Sequence, residues 1–150
     1  MIVIDASLAV KWYVIEPQSE GARTLFGEHA GNIVVPDIFR AEVIGAMVRR
    51  ANIDKSERTA ADTSIAAFLH LFADGFLQLS NLTGPQMARA AQAALDLGHP
   101  LKDCLYLALA MDLGCPLVTC DAKFADRARR VYESVRVLED TAGGYAGGTR

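Results

Sequence analysis

The chain has little of several things, and each shortage narrows what it can be. It has three cysteines, Cys104, Cys115 and Cys120. The number is odd and no two are spaced Cys-x-x-Cys, so neither a disulfide framework nor a zinc site is expected. They read as small buried hydrophobes in a reducing compartment. No apolar run approaches the ~20 residues of a membrane helix, so no membrane partner is expected. The first ten residues, MIVIDASLAV, lack Lys and Arg and carry an early Asp. A secretory leader starts otherwise, and a cytoplasmic location is expected. A glycine-rich phosphate loop is missing, and no Ser or Cys sits in a recognisable nucleophile elbow. Positive charge is short as well: 15 Lys and Arg face 18 Asp and Glu, a formal net charge of −3. The molecule as a whole does not attract a polyanion. Contact with nucleic acid has to come through a local basic patch or a bound cation.

What is there fits one domain: 150 residues, 51% of them hydrophobic. A chain of this size buries roughly 68–70% of its unfolded surface, enough for a core of its own. The expected division is a domain over 1–140 and a flexible, glycine-rich tail over 141–150. That tail ends in GGYAGGTR, has no core pattern, and reads as a loose end or a non-native remnant.

Short apolar runs alternate with longer helical patterns. Strands are expected at Ile2–Ile4, Ile33–Val35, Phe76–Leu79, Leu117–Thr119 and Val135–Leu138. Runs such as Met1–Ile4 are apolar throughout, as in parallel strands covered on both faces. Helices are expected at Ser19–His29, Ile38–Ala51, Ser56–Phe72, Gln86–Leu97, Lys102–Leu113 and Lys123–Arg130. Ile44, Met47, Val48 and Ala51 form the apolar stripe of the second, and Ile65, Leu69 and Phe72 that of the third. Strands separated by helices imply right-handed crossovers and an α/β three-layer sandwich around a mainly parallel five-stranded sheet.

Four acids stand out. In an open parallel sheet, ligands bind beyond the carboxyl ends of the strands. Asp5 ends the run MIVI and Asp121 follows PLVT, so both are expected at that rim. Each is also explained as a turn former or helix cap. Glu42 lies near the start of its helix but not three residues after a cap at Asp37, where a capping-box Glu belongs. At 100° per residue it points about 160° from Ile44, off the apolar stripe. A solvated surface Glu explains it equally well. Asp103 opens CLYLALAM, apolar on every side and therefore buried. A carboxylate entering such a helix is costly unless paired or metal-bound, although the helix dipole also favours a first-turn Asp. If the four meet, mutual repulsion raises the pKa of some of them. Oxygen donors with no nearby His or Cys suit Mg²⁺ or Mn²⁺, which would also bring a phosphate to an acidic pocket.

VIDAS near the N-terminus, PDIFRAEV, LKDCLYLALA and PLVTCDAKF together resemble the PIN-domain family, and within it the bacterial VapC-type toxins. The resemblance runs from about Ile2 to Leu138, with the four motifs in the family's order. It implies a parallel sheet with helices on both sides. It implies Mg²⁺- or Mn²⁺-dependent hydrolysis of RNA, leaving 5′-phosphate and 3′-hydroxyl ends. It implies a VapB-type antitoxin that blocks the site, and a homodimer. Asp5, Glu42, Asp103 and Asp121 match the family's acidic, metal-holding positions. Ser7 and Thr119 match its small hydroxyl positions and are expected to orient carboxylates or water, or else to make local turn bonds. Lys102 stands where relatives often carry a neutral residue. It pairs with a site carboxylate, reaches a phosphate, or points to solvent.

Arg40, Arg49, Arg50, Lys55 and Arg58 are candidates for an RNA path, Arg40 being nearest Glu42, with solvated helix faces as the plain alternative. Trp12, Tyr13, Phe39 and Phe68 are expected in core or dimer packing rather than base stacking. Asp126 is a candidate fifth acid near the pocket, with an exposed helix residue balancing Arg127, Arg129 and Arg130 as the favoured reading. His29, His70 and His99 fall outside the acidic motifs and are given no role. Two other functions keep part of this reading: an inactive PIN-like binding module, and an Mg-dependent phosphoryl-transfer protein. Against the second, an aspartyl phosphatase has another Asp where Ser7 stands, and a receiver has an Asp where Ser80 and Asn81 follow Leu79.

Overall fold

The computed structural model describes residues 1–138. The expected tail over 141–150 lies outside them. Five strands form one sheet: β1 Ile2–Ile4, β2 Ile33–Pro36, β3 Leu77–Ser80, β4 Leu117–Thr119 and β5 Val135–Val137. Their order is β3-β2-β1-β4-β5, and every pairing is parallel. The apolar run at the N-terminus is explained by this order. β1 is central, hydrogen-bonded to β2 and β4, and its three residues are buried. The edge strands β3 and β5 show some residues to solvent.

The helices are α1 Ala6–Val10, α2 Ser19–His29, α3 Ile38–Ile53, α4 Arg58–Ala73, α5 Gly84–Leu97, α6 Leu101–Leu113 and α7 Ala122–Ala128, with a 3-10 turn at Lys55–Glu57 before α4. α1 packs on α3, and α3 on α4; α5 packs on α6, which lies against β1, β2 and β4. Right-handed crossovers put the connections from β1 to β2 to β3 on one face of the sheet. The returning helices lie on the other, giving three layers.

Several boundaries differ from expectation for local reasons. α1 was not anticipated: its five residues are too few for a periodic pattern, and Asp5 starts it by accepting from the Leu8 amide. α5 begins at Gly84 rather than Gln86, because Thr83 and Gln86 form a reciprocal capping box. α3 runs two residues past Ala51, and α4 starts at Arg58 because Asp54 caps the 3-10 turn holding Ser56. α6 takes in Leu101, one residue earlier than expected. β3 is displaced one residue onward, β2 gains Pro36, β5 stops at Val137, and α7 covers 122–128 instead of 123–130.

The α3 stripe is also corrected. Met47 is buried as expected and Ile44 packs half-buried against the core, but the other buried residues are Phe39 and Val43, and Val48 is exposed. Glu42 therefore borders the buried face instead of pointing away from it. In α4 the buried residue is Phe68, and Leu69 is exposed. Phe39, Phe68 and Phe72 pack edge-on or tilted against one another. Trp12 donates from Nε1 to the Ala22 carbonyl at 3.0 Å and packs on Phe26. All three cysteines are free, Cys104 and Cys115 buried and Cys120 half-buried.

Candidate metal centre

The chain leaves β1 toward β2 on one side and returns to β4 on the other. The β1–β4 gap is thus the point where the strand order reverses, and a crevice opens beyond their carboxyl ends. An open cleft of about 220 Å³ lies here, and Asp5, Glu42, Asp103 and Asp121 all line it. Four acids from four separate segments share one wall-to-wall space.

Asp5 follows β1 directly and is only 6% exposed. It accepts from Ser7 Oγ at 2.6 Å, from the Leu8 amide at 3.3 Å and from Thr119 Oγ1. Burial pushes its carboxyl up to about 6, the three hydrogen bonds pull it down, and the charge of Asp103 adds to the rise. The fully buried Thr119 also accepts from the Asp121 amide at 3.0 Å, tying the ends of β1 and β4 together. Asp121 is exposed and caps α7, accepting from the Phe124 amide at 3.0 Å. The cap role and the place in the cleft coexist.

Glu42 enters from α3. Tyr106 donates its hydroxyl to Glu42 Oε1 at 3.0 Å, and Lys102 Nζ stands 3.5 Å from Oε2. Burial first, then Glu42, holds the Tyr106 hydroxyl far above the ordinary tyrosine range, so it remains a donor. Lys102 pairs with a site carboxylate, as one of its expected fates, although most of its side chain is exposed. Tyr106 was missed from sequence. Its signal is a phenol three residues after Asp103 in a buried helix, where the hydroxyl must find a partner.

Asp103 sits in the first turn of α6 and meets His99 Nε2 at 2.6 Å. The expectation of no histidine near the acids is corrected. One ligand atom each from His99, Asp103 and Asp121 lie within 4.8 Å of one another. α5 ends at Gly98, in the left-handed region at φ +60°, and His99 follows directly, two residues before α6 begins. The sequence signal was spacing alone, four residues ahead of Asp103.

Among the basic candidates, Arg49 lines the cleft and Arg40 does not: its guanidinium lies 5.6 Å over the Phe72 ring. Arg50 pairs with Glu57 at 3.3 Å. Asp126 is exposed and pairs with Arg129 at 3.3 Å, while Arg127 turns toward His99.

The side chains gathered here could hold a divalent cation. Carboxylates converge, one of them is buried against its own charge, and hydroxyl donors orient it. A divalent ion with oxygen preference removes the repulsion.

Comparison with known proteins gives the family and the fold. Residues 2–130 match the model of the PIN domain. The chain is 34% identical over 127 residues to Ribonuclease VapC12 of Mycobacterium tuberculosis, covering 83% of this chain and 90% of that protein. In fold it is similar to the crystal structure of Mycobacterium tuberculosis VapC20, described as a sarcin-ricin loop cleaving toxin. There the TM-score is 0.65 at 14% identity, over 84% of this chain and 94% of the other. A toxin–antitoxin complex from Klebsiella pneumoniae is also similar, with TM-score 0.62 and 13% identity, over 93% and 99% of the two chains.

Proposed function

The chain belongs to the PIN-domain family, and from that premise we propose that it is a metal-dependent endoribonuclease toxin of the VapC type. It hydrolyses RNA phosphodiester bonds to 5′-phosphate and 3′-hydroxyl ends. The observation that carries this is the meeting of Asp5, Glu42, Asp103 and Asp121 in one cleft at the sheet's switch point. The relative named a ribonuclease supports RNA as substrate. The fold neighbour found in a toxin–antitoxin complex supports a VapB-type antitoxin as partner. A homodimer in the cytoplasm completes the reading.

The four acids are the groups that would hold Mg²⁺ or Mn²⁺. When bound, such an ion supplies an activated water and neutralises charge on the phosphate. The chain's own residues do the rest. Ser7, Thr119 and the Leu8 amide hold the Asp5 carboxylate in one orientation. Tyr106 holds Glu42 from beneath. Arg49 and Lys102 stand in the same cleft wall and draw in the phosphates of the chain to be cut.

The test is cleavage of a mixed RNA pool by wild type and Asp103→Asn, with and without Mn²⁺. Cleavage is expected only with metal, and it is expected to vanish in Asp103→Asn while the circular dichroism spectrum stays unchanged. Undiminished cleavage by the pure variant defeats the assignment.

A further inference from the structure

His99 takes no part in the reading above, yet it is among the most constrained side chains near the cleft. Its side chain is 8% exposed. The ring stacks on Phe124 with centroids 4.7 Å apart and planes 26° apart. Its backbone amide donates to the Ala94 carbonyl at 3.0 Å. Both ring nitrogens are engaged: Nε2 with Asp103 Oδ2 at 2.6 Å, and Nδ1 with an Arg127 guanidinium nitrogen at 3.3 Å. That same Arg127 nitrogen lies 3.3 Å from the Gly98 carbonyl, which anchors it.

Two roles compete for this histidine. Its proximity to Asp103 and Asp121 would let it serve as a nitrogen ligand to a metal. A ligating Nε2 must offer its lone pair, and the ring proton then sits on Nδ1. But Nδ1 faces arginine, which has donors and no acceptor. A proton there would set two donors against each other in a largely buried place. The lone pair therefore belongs on Nδ1 and the proton on Nε2, where it is donated to Asp103.

We propose that Arg127, His99 and Asp103 form a hydrogen-bonded relay in which Arg127 fixes the tautomer of His99 and His99 positions the Asp103 carboxylate for the metal. The inference rests on the metal-centre reading above and deepens it. One consequence is selectivity. With the imidazole lone pair turned away, the cation meets oxygen donors only, which favours Mg²⁺ and Mn²⁺ over Zn²⁺. Arg127 is then a determinant of metal choice without touching the metal, and His99 is a positioning residue.

The experiment uses the full chain without added metal, ¹⁵N-labelled, and a long-range ¹H–¹⁵N spectrum of its histidines. The His99 signals are assigned by their loss in His99→Gln. The expected pattern is that of the Nε2–H tautomer; an Nδ1–H pattern overturns the relay. Calorimetric titration with Mn²⁺ and with Zn²⁺ follows. His99→Ala is expected to bind Mn²⁺ about 10–100-fold more weakly. His99→Gln, whose amide nitrogen can donate to the same carboxylate, is expected to recover most of that loss. Arg127→Met is expected to raise the ratio of Zn²⁺ to Mn²⁺ affinity at least about tenfold, as the released ring turns its lone pair to the cleft. Unchanged Mn²⁺ affinity in both His99 variants, or an unchanged ratio in Arg127→Met, overturns the proposal. Asp103→Asn is titrated in parallel. If it loses Mn²⁺ and the His99 variants do not, the relay fails alone; if it too binds as wild type, the metal centre itself has failed. Should His99→Ala not fold, the wild-type spectrum and the Gln variant still decide.

Discussion

Asp5 carries a carboxyl that burial and a neighbouring charge push up to about 6 from an ordinary value of 3.8. The folded chain thus holds this proton more tightly than the unfolded chain does. The stabilising contribution is fully present below about pH 4 and is lost as pH rises through about 6, the opposite of a salt-bridged Asp. The metal-free protein is expected to lose stability over that interval, by on the order of 3 kcal/mol from this group. Urea midpoints at a series of pH values check it: Asp5→Asn should flatten the fall, and Mn²⁺ should reverse it above pH 6. Thr119 is the second sensitive residue, since its hydroxyl serves both the Asp5 carboxylate and the Asp121 amide. Thr119→Val keeps the shape and leaves these buried groups short of a partner. It is expected to cost about 1–3 kcal/mol in the same measurement. Asp5 and Asp121 were readable in the sequence because a strand pattern ends just before each. His99 was not: its one local mark is the four-residue spacing to Asp103, and its other partner, Arg127, comes from α7.

At the scale of elements, α6 explains why Asp103 precedes so apolar a segment. Cys104 through Ala110 are all buried, because the helix is covered by α5 and by three strands at once. Its N-terminal end reaches the cleft, where Lys102, Asp103 and Tyr106 line the wall. Leu107→Ala or Leu109→Ala, both at fully buried positions, is expected to destabilise by about 2–5 kcal/mol in urea unfolding. The same logic shows where pattern reading went astray. α3 is flanked by α1 and α4, so its apolar surface is wide, and several stripes fit its sequence. Which one turns inward depends on its neighbours. Choosing the stripe through Ile44 turned Glu42 outward; the buried line through Phe39, Val43 and Met47 brings it to the edge of the cleft.

At the scale of the molecule, the net charge of −3 is distributed rather than uniform. Acids converge at the carboxyl rim of β1 and β4, and Arg49 and Lys102 share the cleft with them. An RNA substrate, as proposed above, would therefore be guided locally rather than by the overall field. Arg49→Ala is expected to weaken RNA binding across sequences. In a Mn²⁺-free titration it should reduce the slope of log affinity against log salt by about 0.7, one phosphate contact on a single strand. An unchanged slope would remove Arg49 from the RNA path. Arg40, nearer to Glu42 in sequence, is expected to change neither, because it rests on Phe72.

Periodicity and composition pointed to a buried parallel sheet flanked by helices, since the strands of a sheet covered on both faces read as continuous apolar runs. They also put Asp5 and Asp121 at strand ends. Tertiary structure decided the rest: that β1 and β4 are neighbours at the switch point, that α3 presents Glu42 to the cleft, and that His99 and Tyr106 serve the acids. The physical reason is distance along the chain. Helix and strand preferences are set by residues a few positions apart. Thr119, Tyr106 and Arg127, which meet Asp5, Glu42 and His99, lie 114, 64 and 28 positions from them, and only packing brings these pairs together.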